Sequence, residues 1–401
     1  MTRLFRLKEF LRQINVELLQ AFLKAEGVDG ALPKSKKDQE DAEVWANFIY
    51  AFDGQAIAEI ETALRDVNEI ASEGGTLNLV EVAAEQGINL KQDTKTIENE
   101  YCQALYCYIH HRDVFENAFV FQRVNELKGK TERTGLKKRM AKEVIVRKDD
   151  LAKELKMYFF SKELRGQNCQ VDAYNDHDKR VCFIAYPEDY PKTDIFYDKG
   201  RLKRMGRKST FQIVYIYDCG QGRLEMNARG GWKKKVELMS IFNKEVLEDD
   251  RPVADKQKVY NLAKLLEKDF EFATKPEDQI EYVHLQELSL SHKYNQDRVT
   301  IALKDAEGIE DMRNALKDYK IASDQFNVVQ AKIQMKFPQA GRQKGSVTFH
   351  LSWPDRCDLG DSLYHLKAKE YVKHWNLEEK PITLKVTRSS DEKSSVEAVS
   401  Q

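Results

Sequence analysis

Apolar residues recur at three- and four-residue steps through the first third of the chain. Leu4, Leu7, Leu11, Ile14, Leu18 and Phe22 share one helical face within residues 3–25, and Gly27 marks its end. The polar run 31–41, ALPKSKKDQED, reads as a loop. Residues 42–72 predict one or two helices, broken at Asp53-Gly54 and stopped by Gly74-Gly75. A further long helix is expected from Ile97 to about Val124, with Tyr101, Leu105, Tyr108 and Ile109 on one side, and a charged helix around 148–164.

From about residue 167 the period changes. Short runs rich in Val, Ile, Phe and Tyr at 180–186, 193–198, 209–217 and 222–228 predict strands, with a hairpin turn over 218–222. Helices are expected at 232–247 and about 255–269. A second strand-rich stretch begins near Asp278: 280–291 and 297–304 read as a hairpin around 293–296, followed by a helix at 307–319. In 327–337, Val329, Ala331, Ile333, Met335 and Phe337 alternate with polar residues, and 346–353 alternates the same way. Period two means a sheet with one covered and one wet face, usually antiparallel. A helix at 361–375 packs through Tyr364, Ala368, Tyr371, Val372 and Trp375.

These elements predict an α+β fold: a helical N-terminal domain followed by two strand-rich α+β units with mainly antiparallel sheets. The expected divisions are an acidic helical domain over 1–130, a basic helical connector over 131–166, a basic α+β domain over 167–270, a ββαββα-like domain over 271–387 and a disordered tail over 388–401.

With 41% hydrophobic and 33% charged residues, and only 8 prolines and 19 glycines, the chain has material for real cores and is not largely disordered. The net charge of −1 excludes nothing, but its distribution is uneven. Residues 1–120 carry 12 basic and 21 acidic side chains, 121–235 carry 28 and 16, and 236–401 carry 25 and 29. A basic block thus lies between two acidic ones, and such a block attracts an anionic partner or faces the chain's own acidic surfaces.

Six cysteines without paired spacing read as thiols of a reducing compartment. The charged N-terminal run is not a secretory signal, and no stretch approaches the roughly 18 apolar residues of a membrane span. A cytoplasmic location with no membrane association is expected.

The most specific local signal is Arg229-Gly230-Gly231-Trp232-Lys233-Lys234-Lys235 between an expected strand and helix. Two glycines permit close backbone approach, and a helix N-terminus offers free N–H groups to an anion. Within 199–208, six of ten residues are basic, among them Arg201, Lys203, Arg204, Arg207 and Lys208, on an expected flexible hairpin. Phe196, Tyr197, Phe211 and Tyr215 lie beside it, available to stack bases or to pack a core. Lys137-Lys138-Arg139 forms a third basic cluster.

Other patterns fail on physical grounds. A helix-turn-helix at 79–100 would present an acidic recognition helix to a polyanion. Cys102, Cys107, His110 and His111 lack the spacing of a zinc site, and Asp176-His177-Asp178 reads as a polar turn. Asp113 with Glu126-x-Lys128 mimics a nuclease order but falls in helical sequence. No nucleotide-loop, hydrolase, zinc-protease or kinase motif is present, so no catalytic residue, metal or cofactor is assigned.

The expected function is that of an accessory or regulatory protein that binds a polyanion, DNA or RNA, through its basic centre. A non-enzymatic scaffold or sensor acting through a protein partner or as a homo-oligomer is the alternative, and a phosphate-ester enzyme or nuclease a weaker one. Motif-poor chains of this kind are frequent in bacterial accessory systems, defence against phage included, though no residue demonstrates that setting.

Overall fold

The N-terminal helices form where an amphipathic stripe meets a capping side chain. The Asn15 side chain accepts from Glu17 N at 2.7 Å, Ser72 from Gly75 N at 3.1 Å and Asn99 from Cys102 N at 2.8 Å. The computed structural model describes residues 5–28, 32–33, 42–52, 54–97, 99–176, 180–198, 200–255, 257–304, 308–338, 345–360 and 363–379. The expected tail and most of the 31–41 loop lie outside them. The chain divides into two compact units, Met1–Val124 with Pro191–Arg207, and Asn125–Tyr190 with Lys208–Gln401.

In the first unit the helices are α1 (Leu7–Leu11), α2 (Val16–Ala25), α3 (Ala42–Tyr50), α4 (Gly54–Ile70), α5 (Glu73–Glu85), α6 (Leu90–Asp93), α7 (Glu100–His110) and α8 (Arg112–Glu126). Phe10, Phe22, Trp45, Leu64, Val67 and Leu105 are among the side chains of their shared core. Two expectations need correction. Gly74-Gly75 do not stop a helix: they lie in the first turn of α5, where a Cβ on Gly75 would stand 1.9 Å from Ile70 O. The long helix expected over 97–124 is broken between α7 and α8, where His111 leaves the helical region at φ −137° and ψ 60°.

α4 turns Ile60, Leu64 and Val67 inward and half-buries Asp66 beside them. Burial pushes the Asp66 carboxyl up to about 6, against the pull of Arg123, while Glu69 adds to the rise. The folded state therefore holds a proton between the ordinary value of 3.8 and about 6 that the unfolded chain has released. Stability from this group is gained as pH falls through that window and lost as it rises. Asp66→Asn is expected to melt higher than the native chain at pH 7 and to converge with it near pH 4. Melts of both proteins across that range check this, and a gap that does not depend on pH contradicts it.

From α8 the chain continues into β1 (Lys130–Arg133), α9 (Ala141–Ile145), α10 (Lys148–Glu163), β2 (Cys169–Asp176), β3 (Arg180–Asp198), β4 (Arg201–Thr210), β5 (Ile213–Asp218), β6 (Arg223–Asn227) and α11 (Trp232–Glu245), with the Pro191–Arg207 part of β3 and β4 grouped with the first unit. Then come β7 (Tyr282–His292), β8 (Arg298–Ala302), α12 (Ile309–Asp318), β9 (Phe326–Lys336), β10 (Ser346–Ser352), β11 (Arg356–Cys357) and α13 (Leu363–His374). The helix expected over 255–269 is only a 3-10 turn, Leu262–Leu266.

The eleven strands among the described residues join one antiparallel sheet, in the order β2-β3-β5-β6-β1-β11-β10-β9-β7-β8, with β4 paired to β3. The two strand-rich stretches thus share a sheet, joined at its centre by β1 and β11. Directly paired residues lie on the same face, so one row can be followed across the strands. Thr300, Ser289, Gln330, Ser352, Arg356, Thr131, Met226 and Tyr215 are successive partners.

The row changes character at Thr131. On the β6 side it is apolar and covered by α10 and α11, whose Phe242 ring lies 5.0 Å from Tyr215 and 5.4 Å from Phe183. On the β11 side it is polar. There the covering helices α12 and α13 lie on the opposite face, over Leu288, Ile333, Phe349 and Leu351. The helical layer therefore changes sides at β1, which leaves a wet sheet face beyond it.

Candidate nucleic-acid interface

Residues 201–208 of the basic cluster lie in the strand β4, and Lys199 lies outside the described residues. β3 is 19 residues long, fusing the two strands expected at 180–186 and 193–198. Its pairing to β2 and β5 ends at Pro187 and Ala185, and the remainder belongs to a hairpin with β4. β4 is exposed along its length except at the half-buried Ser209.

Alternation puts Arg201, Lys203 and Arg207 on one face of β4, and Arg204 and Lys208 on the other. Arg207 stands 3.9 Å from Asp194, a long separation for an exposed pair, and Lys208 stands 3.5 Å from the half-buried Glu188. Apolar side chains share the ribbon: Tyr197 is 73% exposed, Ile195 58%, Leu202 57% and Met205 52%. Phe196 is exposed too, whereas Tyr215 is fully buried against α11 and Phe211 packs on Phe159 at 5.0 Å. Tyr215 is therefore a core residue in this fold, a role the alternating pattern left open.

The Gly-Gly turn leads from β6 into α11 with Gly231 as the cap residue, lacking a capping side chain. Gly230 has φ +125°, a conformation that favours glycine, and a Cβ there would stand 2.8 Å from Lys234 Cδ. The three lysines that follow diverge. Lys233 is exposed, as is Arg229. Lys234 reaches Glu163 Oε1 at 2.5 Å and lies 4.9 Å from the Phe159 ring centroid. Lys235 is buried and donates to Thr131 Oγ1 at 3.2 Å, and burial, reinforced by Arg356, pulls its ammonium below the ordinary lysine range. The turn thus offers the solvent two cations beside the exposed Gly230 and Gly231.

In the third cluster Lys138 is exposed. Lys137 donates to Glu248 O at 3.1 Å, and Arg139 bridges Glu143 at 3.1 Å and Glu248 at 2.5 Å. Of the patterns set aside, α6 is a single turn, and Cys107 is buried in α7 with its Sγ near His111 O. Among the described residues no group of three His, Cys, Asp or Glu could hold a metal ion. No helix among them is long and apolar enough to cross a membrane.

A second charged assembly escaped sequence reasoning. All four side chains of β1 are buried, although every one is polar. Lys130 and Glu132 face one side of the sheet. There Lys130 pairs with Glu225 at 2.9 Å, Glu132 pairs with Arg223, and Tyr260 donates to Glu132 Oε2 at 2.9 Å. Burial raises Glu132 despite Arg223. Burial pushes Glu225 the same way, but Lys369 and Lys130 outweigh it and hold that carboxyl low.

Thr131 and Arg133 face the other side. Arg133 pairs with Asp355, donates to Ala254 O at 3.1 Å and Asp255 O at 3.2 Å, and lies 4.7 Å from the Trp232 ring centroid. Burial raises the Asp355 carboxyl, with Arg133 opposing it. No local sequence signal marks a polar tetrapeptide as a central strand, because its ion-pair partners lie about 90 to 220 positions away. No family model matches this chain, and comparison with curated protein sequences gives no match either.

Proposed function

We propose that this protein binds nucleic acid through the β3–β4 ribbon, with Arg201, Lys203, Arg204, Arg207 and Lys208 contacting phosphates. The observation that carries the reading is the exposure of β4, whose cations stand on both faces of a two-stranded ribbon. A ribbon of this width fits the major groove of a duplex, and ten residues at roughly 3.3 Å each reach across it. Cations on both faces suit a ribbon lying between two phosphate backbones. The exposed Ile195, Tyr197 and Leu202 suit contact with base or sugar edges.

The rival reading is a protein partner. β4 is an edge strand whose outer backbone groups are open to strand addition, and its apolar side chains would add to such an interface. Its dense Arg and Lys content opposes strand addition by an uncharged or basic chain.

Mobility shifts with single- and double-stranded DNA and RNA, across a salt series, test the proposal. Binding that weakens steeply with salt is the expected result. No shift at about 50 mM salt with any of the four sinks it and favours a protein partner.

A further inference from the structure

The wet sheet face beyond β1 walls a cavity of about 1200 Å³. Typical ligand pockets are about 300–1,000 Å³, so there is room for a ligand larger than a single metabolite ring. Its floor is the polar half of the cross-strand row, with Thr300, Ser289, Gln330, Ser352 and Arg356 side by side, and Ser289 Oγ 2.9 Å from Thr300 Oγ1. Trp232, at the start of α11, and Trp353 stand at its margin, the latter 43% exposed.

Three features point to an occupant. Lys258, Arg298 and Arg356 line the cavity, are exposed, and make no ion pair with any described residue. Asp355 also lines it and is fully buried, and its Oδ1 has no hydrogen-bond partner among the described residues. The His292 Nδ1, also in the cavity lining, is buried and has no hydrogen-bond partner among the described residues. Unpaired buried polar atoms are rare and costly in native proteins, so two in one cavity call for an explanation. Cations without partners seek an anion, an exposed indole offers a planar face, and hydroxyl and amide rows offer donors and acceptors to a polar ring.

We infer that this cavity binds a nucleotide, its phosphates held by Lys258, Arg298 and Arg356 and its base set against Trp353 and the polar sheet face. A nucleotide combines the required chemistry: anionic groups at one end, and a planar, hydrogen-bonding ring at the other. The site is separate from the ribbon residues and stands if the nucleic-acid reading fails. The source of the nucleotide, free or at the end of a strand, is left to the experiment.

Tryptophan fluorescence of the full chain is the readout. Trp45 and Trp375 are buried in their cores, so quenching by an added ligand reports on Trp232 and Trp353. The probes are the four ribonucleoside triphosphates, the four monophosphates, ribose 5-phosphate, inorganic triphosphate and a short single-stranded oligonucleotide. The expected result is saturable quenching by at least one nucleotide with Kd below about 100 μM, weakened roughly tenfold or more in Arg298→Glu and in Arg356→Glu. Both positions are exposed, so the variants are expected to fold, and circular dichroism verifies this.

A ribbon variant carrying Lys203→Glu and Arg204→Glu is expected to bind the nucleotide like the native chain. Quenching by the oligonucleotide alone, lost in Arg298→Glu and retained in the ribbon variant, assigns the site to a strand end. The inference is overturned if no probe quenches at about 1 mM, if the Arg298 and Arg356 variants bind normally, or if ribose 5-phosphate or inorganic triphosphate binds as well as every nucleotide.

Discussion

Arg133→Ala is expected to cost about 3–5 kcal/mol of stability, the range for removing one member of a buried ion pair. Asp355 would remain in place, 0% exposed, having lost its partner. The carbonyls of Ala254 and Asp255 would lose a donor at the same time. Trp232 would lose the cation over its ring. Each loss adds to the next because β1 is the strand that joins the two halves of the sheet.

The double change Arg133→Met with Asp355→Leu is expected to recover a large part of the loss, since apolar pairs of similar volume often replace buried ions without penalty. Urea denaturation of the three proteins checks both statements. A loss below about 1 kcal/mol in Arg133→Ala means that the seam contributes specificity without stability.

Reversing three charges on the ribbon, Arg201→Glu, Arg204→Glu and Arg207→Glu, is expected to weaken nucleic-acid binding by about 100-fold or more at low salt. The melting temperature should stay within about 2 °C, because exposed side chains away from caps and cores rarely matter to stability. The contrast with Arg133→Ala is sharp: the ribbon arginines are exposed and contact phosphates in the proposed reading, whereas Arg133 is buried and serves the fold. Unchanged affinity in the triple variant removes the ribbon from the interface, whatever the protein binds elsewhere.

How much of this could be read in the sequence depended on how local the physics was. The alternation at Val329–Phe337 and Val347–Trp353 gave β9 and β10 nearly to the residue, and the turn at 218–222 gave the β5–β6 hairpin. These are signals of period and turn chemistry, which neighbours in sequence decide. β1 was not legible, because four polar residues satisfied by distant ion pairs look the same as a loop. The glycines of 199–208 suggest a flexible hairpin, because glycine is a poor strand former in isolation. The pairing of β4 with β3 overrides that preference. The three lysines after Gly231 were seen as one cluster, but helical geometry separates them, with Lys233 in solvent and Lys235 under the sheet. The cavity had no signature at all. Its floor is drawn from five strands, and only the register brings Thr300 and Arg356 into one row.

The most direct test of the ribbon's role is the salt dependence of duplex affinity, measured by fluorescence anisotropy from about 50 to 300 mM salt for the native chain and the triple ribbon variant. Five phosphate contacts predict a slope of log K against log salt near −4.5 for the native chain, and loss of three brings it toward about −2. A native chain that binds with the same slope and affinity as the variant, or does not bind at the lowest salt, contradicts the account.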